Sequence, residues 1–514
     1  MSEWTKGNRS MAGHEQIPGK TPVNAIRLKA LLMEIQAMDE DDDRWIVSLQ
    51  TDSRDVTSGS LFIALAGRTV DGRDYIDEAL ENGAVAVLYE SPGAPSGPAR
   101  RAGVPMIAVE DLRNQLGRIA SRFYRHPSRE MTLAGITGTN GKTTTAFLLV
   151  QALELLGVRC AYSGTLGTGF LGQLQESDLT TVDSIRMHRR LAEFLDRGAQ
   201  AVCMEISSHG LDQGRANGLD FDVAVFTNLT RDHLDYHRSM KRYGEAKRKL
   251  FEFESLDTAV INLDDEFGRE LQRFCEQRKR GLQCLVFGME SGDLQPRNLQ
   301  VDDQGIRFRL EYEGGDWEIT SRLLGRINVP NLLCCIATLL GLKFPIRDIV
   351  PVIGQLGSPP GRMEAFRGDA GQPLVIVDYA HTQDALERAL RSLKPLCRGK
   401  LVTVFGCGGD RDPGKRPRMG TIAETVADRV ILTDDNPRTE PADQIVNQIK
   451  EGLSKPVTVI HDRKAAIAHA VKGLSSRDIV LVAGKGHEST QTTGVRARPL
   501  CDRSIVPELL GGAT

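Results

Sequence analysis

The sequence predicts an α/β protein of three domains, with mostly parallel sheets in the second and third. Three observations lead there. A length of 514 residues exceeds what one hydrophobic core supports. Short apolar runs alternate with helical patterns along nearly the whole chain, which is how parallel sheets are written in sequence. The stretch Gly357-Ser358-Pro359-Pro360-Gly361 breaks the composition and marks a hinge before the last third.

Residues 1–22 are polar, with glycines and prolines, and are expected to form a loose tail. A small α/β domain is placed at 23–127, on apolar runs at 61–65 and 84–88 and a helical pattern at 75–82. A central domain at 128–357 has strand-like runs at 133–136, 201–204, 223–226 and 259–262. Inside it, Gly305-Ile306-Arg307-Phe308-Arg309-Leu310 alternates with period two and then turns at Gly314-Gly315, which predicts a small antiparallel insertion. The C-terminal domain, 358–514, has strands at 374–377, 401–405, 430–432 and 479–482 separated by helices, a Rossmann-like pattern.

The segment at 133–150 carries the most specific chemistry. An apolar strand runs into Gly138-Thr139-Asn140-Gly141-Lys142-Thr143-Thr144, and the apolar 145–150 then opens a helix. Glycines let backbone N–H groups approach phosphate oxygens, and the helix N-terminus adds partial positive charge. Lys142 would reach the β- and γ-phosphates of a nucleoside triphosphate, and the Thr143 hydroxyl would hold Mg²⁺. The central domain is therefore P-loop ATPase-like, although five residues separate Gly135 from Gly141 where the usual pattern has four.

Glu205 ends an apolar strand, where a P-loop enzyme needs an acid for Mg²⁺; the alternative is a solvent-facing acid. The loop 227–237 offers Asp232, His233, Asp235 and His237, of which His233 is either a surface residue or a ligand for a second metal ion. In a helix over 240–251, Lys247 falls on the same face as Met240, Tyr243, Leu250 and Phe251. Two readings fit it. Its head snorkels to the helix edge, or it stays in a low-dielectric site, where a lysine loses its proton more easily and the neutral amine reacts with carbon dioxide to give a carbamate that suits Mg²⁺.

In the last domain, loops after four strands bring polar groups to one rim: Asp378-Tyr379-Ala380-His381, Gly406-Cys407-Gly408-Gly409-Asp410-Arg411-Asp412, Asp434-Asp435-Asn436-Pro437-Arg438 and Gly484-Lys485-Gly486-His487-Glu488. Arg411 and Arg438 suit carboxylates, and Glu488 suits an ammonium, so the rim fits an amino acid.

Composition narrows the partners. With 65 Lys+Arg against 68 Asp+Glu the net charge is −3, which gives no field for nucleic acid or anionic membrane. The longest apolar stretch, 332–342, is far short of a bilayer span, and the polar N-terminus has no signal-peptide core, so a cytoplasmic location is expected. Nine cysteines without a Cys-x-x-Cys pair read as reduced thiols. Small-molecule substrates and a monomer are the expectation.

With these segments assembled, the chain resembles the Mur ligase family of ATP-dependent amide-forming enzymes. The resemblance rests on 137–144, 205–211, the Asp232-His233 loop, 243–247, Gly325-Arg326-Ile327-Asn328 with Asn331, Gly361-Arg362-Met363-Glu364 and 378–381, and it covers nearly all of the chain beyond the tail. Within the family it is similar to the enzymes that add the third stem amino acid to UDP-N-acetylmuramoyl-L-alanyl-D-glutamate. That likeness rests on Thr51-Asp52-Ser53-Arg54, on 67–73, and on Asp435-Asn436-Pro437-Arg438, the motif associated with meso-diaminopimelate. Lysine-adding relatives usually lack that arginine.

The resemblance implies ATP and Mg²⁺ as cofactors and a place in peptidoglycan precursor synthesis. It implies nucleotide contacts from Gly138 to Thr144 and at Asn328 and Asn331. UDP-precursor contacts are implied at Thr51, Ser53, Arg68, Thr69, Val70, Thr180, Thr181, Ser207, Gln213 and Arg215. Amino-acid contacts are implied at Arg411, Asp435, Asn436, Pro437, Arg438, Gly484 and Glu488. The implied catalytic residues are Lys142, Glu205, His233 and Lys247, with one Mg²⁺ at Thr143 and Glu205 and another at His233 and a carbamylated Lys247. The γ-phosphoryl would pass to the D-glutamate γ-carboxylate, and the amine of diaminopimelate would attack the acyl phosphate. Leu179, Val182 and Gln383 depart from the family pattern of Asn, Pro and Pro. Rival readings are a lysine-adding relative, a folylpolyglutamate synthase-like ligase and, in another class, a P-loop switch or motor.

Overall fold

A computed structural model describes residues 25–67, 70–90, 99–278, 281–369 and 371–511. The tail expected at 1–22 and the precursor residues Arg68 and Thr69 lie outside the described residues. The chain forms two compact units. The first holds the described residues up to Thr137, then Gly157–Ala224 and Arg231–Asp257; the second holds Gly138–Leu156, Val225–Thr230 and 258–511.

The first unit contains a two-stranded pair, Ile26–Arg27 with Trp45–Ile46, and two larger sheets, the second only in part. One runs in the order Ser48–Gln50, Ser60–Ala64, Ala86–Glu90, Val104–Val109 and Ala99–Arg101, parallel except for the last strand. Its strands obey period two. Leu61 and Ile63 join Leu112, Leu116 and Ile119 of helix Leu112–Phe123 on one face, while Phe62 and Ala64 pack with Ile76 and Ala79 of helix Ile76–Glu81 on the other. The second sheet places Ala201–Glu205 between Cys160–Gly164 and Thr132–Thr137, all parallel, with the short strand Gly167–Gly169 antiparallel at its edge. Every residue of the three parallel strands is buried, which is why they read as continuous apolar runs.

The second unit begins with helix Lys142–Leu155, which starts at the lysine itself. Helix Asn328–Gly341, with 12 of its 14 residues buried, accounts for the long apolar stretch as core. The insertion is present as a three-stranded antiparallel sheet, Arg297–Asp302, Gly305–Tyr312 and Gly315–Ser321, with Ile306, Phe308 and Leu310 inside and Arg307, Arg309 and Glu311 outside. The last domain is a six-stranded sheet in the order Glu364–Arg367, Leu374–Asp378, Ile479–Ala483, Leu401–Phe405, Arg429–Leu432 and Thr458–Val459, parallel but for the first. Helices Gln383–Leu393, Lys415–Val426 and Ala442–Lys450 cover one face; Arg463–Val471 and Asp502–Leu509 cover the other. Thr382 and Asp462 cap two of these helices, each accepting from the N–H three residues on and satisfying a donor that the helix leaves orphaned. This doubly wound plan sends the loops after the parallel strands to the sheet's carboxyl edge.

Candidate active site

In the first unit, Glu205 closes strand Ala201–Glu205 and is buried, not solvent-facing. Tyr162 donates its hydroxyl to Oε1, Thr165 donates its N–H to Oε1 at 2.8 Å, and the Thr165 hydroxyl donates to Oε2 at 3.1 Å. Neither Tyr162 nor Thr165 was singled out from the sequence; their one signal is position, at the mouth of the neighbouring strand. Gly164 is required here, since a Cβ would stand 2.3 Å from Oε1.

The predicted precursor residues meet around the backbone that follows. Thr165 and Thr180 hydroxyls lie 3.2 Å apart. Thr181 donates to the Glu205 carbonyl and accepts from the Ser207 N–H, both at 3.0 Å. Ser207 caps helix Ser208–Asp212, and Arg215 ties the cluster together by donating to the Thr181 carbonyl at 2.7 Å and to Gln213 Oε1. Of the N-terminal precursor residues, Thr51 and Val70 are exposed, and Ser53 is buried with its hydroxyl donating to Glu78 at 2.6 Å. Leu179, one of the family departures, is exposed.

Lys247 sits on helix Met240–Arg248, which continues as a 3₁₀ turn over Lys249–Glu252 where the sequence suggested a single helix. Such tightening is a common way for a helix to end. The lysine is 1% exposed, and its Nζ stands 4.4 Å from the centroid of the Tyr243 ring. Its head is enclosed against an aromatic face, which removes the snorkelling alternative. Nearby, the rings of His209 and His233 are 4.8 Å apart and those of His209 and His237 5.3 Å. Burial, with repulsion from its two neighbours, lowers the His209 pKa to about 4, so its imidazole is neutral at physiological pH. His233 is exposed, with left-handed backbone (φ 52°), and faces Asp232 at 3.4 Å.

In the second unit, the glycine loop is shaped by contacts too close for any side chain. Gly138 has φ 149°, and a Cβ there would lie 1.9 Å from Thr227 Oγ1. Thr227 donates to the Asn140 carbonyl at 2.6 Å, Asn228 accepts from the Thr139 N–H at 2.8 Å, and Asn228 Oδ1 accepts from the Asn140 N–H at 3.0 Å. Gly141 (φ 87°) then turns the chain into the helix. Lys142 arches back, donating to the carbonyls of Gly138 at 2.8 Å and Thr139 at 3.0 Å. Asn331 donates to Asn328 Oδ1 at 3.0 Å, so the two expected nucleotide residues are neighbours on one helix. Asn140 also donates to Asp384 at 3.2 Å, a partner that sequence distance concealed. A glycine cradle, a lysine over it and a hydroxyl at Thr143 fit a triphosphate with its cation.

The rim of the six-stranded sheet does assemble. Asp435 and Asn436 are buried, and Gly484 (φ 114°) leaves room for Asp435, whose Oδ2 would be 2.6 Å from a Cβ at 484. Burial pushes the Asp435 carboxyl above its usual range, against the pull of Arg463 and Lys485. Arg438 is held by its own N–H on the Thr492 carbonyl at 3.0 Å and by Nη1 on the Gly409 carbonyl at 2.7 Å. Arg411 is exposed, and Arg362 stacks over Tyr379 at 4.4 Å.

A glycine loop at a helix N-terminus and a separate rim of acid, arginine and lysine side chains are parts that an amide-forming ligase spending a nucleotide would need. Three family models match in succession: "Mur ligase family, catalytic domain" over 46–124, "Mur ligase middle domain" over 136–339 and "Mur ligase, glutamate ligase domain" over 361–486. The chain belongs to the Mur ligase family and is an ATP-dependent, amide-bond-forming enzyme.

Among its relatives, a protein of Pseudomonas putida named UDP-N-acetylmuramoyl-L-alanyl-D-glutamate--2,6-diaminopimelate ligase is 48% identical over 457 residues, which are 87% of this chain and 92% of that protein. A solved structure of a ligase with the same name has 34% identity and a TM-score of 0.70, covering 95% of this chain and 99% of that one. A folylpolyglutamate synthase of Mycobacterium tuberculosis, solved with ADP and AMPPCP, has a TM-score of 0.61 at 18% identity, covering 78% of this chain and 96% of that one; it shares the fold alone.

Proposed function

We propose that this protein joins meso-diaminopimelate to the D-glutamate γ-carboxylate of UDP-N-acetylmuramoyl-L-alanyl-D-glutamate, a step of peptidoglycan precursor synthesis. The observation that carries the reading is the rim of the six-stranded sheet. Arg438, anchored on Gly409, suits a side-chain carboxylate, and the acid Glu488, bonded to Asn436 two residues before Arg438, suits an ammonium. A diamino dicarboxylic acid carries both groups. The 48% identity to a protein with that activity in its name supports the same choice.

A carboxylate is a poor electrophile, so its oxygen must become part of a leaving group. In the proposed reaction a γ-carboxylate oxygen attacks the γ-phosphorus of ATP, ADP departs, and the resulting acyl phosphate is attacked by the amine. Phosphate leaves and the amine loses a proton. Lys142, Gly138, Thr139, Asn140, Gly141 and Thr144 hold the phosphates, with Asn328 and Asn331 toward the base. Mg²⁺, when bound, neutralises charge between the reacting anions. Thr143 in the second unit and Glu205 in the first are each proposed as metal ligands, and His233 with the Lys247 carbamate, both in the first unit, are proposed for another Mg²⁺. The buried, ring-facing position of Lys247 supports that modification.

The proposed division of labour is 23–127 for the UDP-precursor, 128–357 for ATP and 358–514 for the amino acid; the three matched family spans fall inside these limits. A cytoplasmic enzyme of small molecules is supported by the near-neutral charge, by nine free cysteines, and by the lack, among the described residues, of a helix long and apolar enough to cross a membrane.

The test offers a panel of amino acids with ATP and the UDP-muramoyl dipeptide, with phosphate release and product mass as readouts. Phosphate release that needs both partners, with a product heavier by one diaminopimelate residue, is expected. Equal joining of lysine would overturn the role of Arg438. ATP hydrolysis without any amide would overturn the whole reading in favour of a switch or motor.

A further inference from the structure

The amino-acid rim contains a charged group that the proposed chemistry leaves unused. Lys485, between Gly484 and Glu488, has a side chain with no exposed surface. An ammonium has three donors and no acceptor. Here they go to Glu488 Oε2 at 2.8 Å, to the Thr490 carbonyl at 2.7 Å and to Asn436 Oδ1 at 3.2 Å. The Asn436 amide is thereby fixed in one orientation, because Lys485 can only donate to it. Its oxygen also accepts from the Thr492 N–H at 2.9 Å, and its Nδ2 donates to Asp435 Oδ1 at 3.1 Å and to Glu488 Oε2 at 2.8 Å.

Both hydrogens of that amide and all three of the lysine are thus spent inside the protein. Glu488 receives two of these five bonds on a single oxygen, Oε2, while its side chain stays 30% exposed. With Oε2 committed inward, Oε1 is the oxygen left for an incoming ammonium. Behind the bracket, the buried pair Arg463 and Asp502 steadies the same two loops, since Arg463 donates to the carbonyls of Ala483 at 2.9 Å and Asp434 at 3.4 Å.

We propose that Lys485 is a positioning residue for amino-acid recognition: it locks Asn436 and turns one oxygen of Glu488 inward, so that the other is presented to the substrate ammonium. Asn436 is part of this bracket through its side chain. The inference rests on the proposed amino-acid role of the rim.

Lys485→Met, close in shape and without donors, removes the lock. The expected result is a KM for meso-diaminopimelate raised at least about tenfold, with kcat and the KM values for ATP and the UDP-precursor changed less than about threefold. In a Glu488→Gln background, already weak for the amino acid, Lys485→Met is expected to add less than about twofold, because both changes act through one oxygen. An amino-acid KM that is unchanged or lower, or losses that multiply in the double variant, would overturn the proposal. Asn436→Asp gives a second route should Lys485→Met fail to fold. It keeps the acceptor for Lys485 and Thr492 but cannot donate to Glu488, and the same selective rise in KM is expected; an unmoved KM counts against the proposal. A wild-type protein that makes no amide refutes the function itself, whereas an active wild type with unmoved variants refutes the role of Lys485 alone.

Discussion

Lys247 and Glu205 are ionisable side chains enclosed at their respective sites, and for the first the sequence left two readings open, a snorkelling head or a buried one, on a helix face that otherwise reads as core. Arg463 and Asp502 were not foretold, because nothing local distinguishes a buried arginine from a surface one; only the fold joins positions 39 apart. Both side chains have no exposed surface. Asp502→Asn leaves the guanidinium without its counter-charge, and removing one partner of a buried pair costs about 3–5 kcal/mol. A fall of that order in unfolding free energy, from urea denaturation, is expected; a change within experimental scatter would contradict it.

Two histidines give a pH dependence of known sign. Burial lowers His188 to about 4, and His209 is also lowered to about 4, against about 6.5 in an unfolded chain. Between those values the unfolded state binds more protons, so stability rises with pH across this window and is lost as pH falls from about 6.5 toward about 4. Denaturation midpoints at pH 7.5 and pH 5 should differ accordingly, and His188→Gln should flatten the difference.

Strands and helices were the most legible level. Apolar runs at 133–136, 201–204 and 479–482 are buried on both faces, and the period-two segment 305–310 is a strand with one wet face. What was hidden is how loops brace one another. Thr227 and Asn228 were visible as polar groups after a strand, but not as the inner wall of the glycine loop. Gly138→Ala tests that wall. The added carbon meets Thr227 at 1.9 Å, so nucleotide affinity should fall more than about tenfold, or one power of ten per 1.4 kcal/mol, while circular dichroism stays native. Binding of a fluorescent ATP analogue at wild-type strength would contradict it.

At the scale of the whole molecule, the thiol sulfur is spread over nine separate cysteines. All nine cysteines are free; Cys160, Cys203, Cys275, Cys334, Cys335 and Cys407 are buried, and Cys284, Cys397 and Cys501 are partly exposed. Burial also pushes the Cys407 thiol up to about 12. A thiol reagent should therefore titrate the three partly exposed groups quickly in native protein and all nine after denaturation. Fast labelling of all nine without denaturant would contradict the described packing. The α/β class was legible from length and alternation, whereas the rim bracket around Lys485 was not, because its members come from loops some 50 positions apart.

The crowding at Gly138 also constrains inheritance. Every other amino acid brings a carbon to the point where the Thr227 oxygen already lies, so no amino-acid replacement at 138 fits without a shift at 227. Drift there has to pass through a simultaneous retreat at 227, and descendants of this gene are expected to keep the two positions as an inseparable pair.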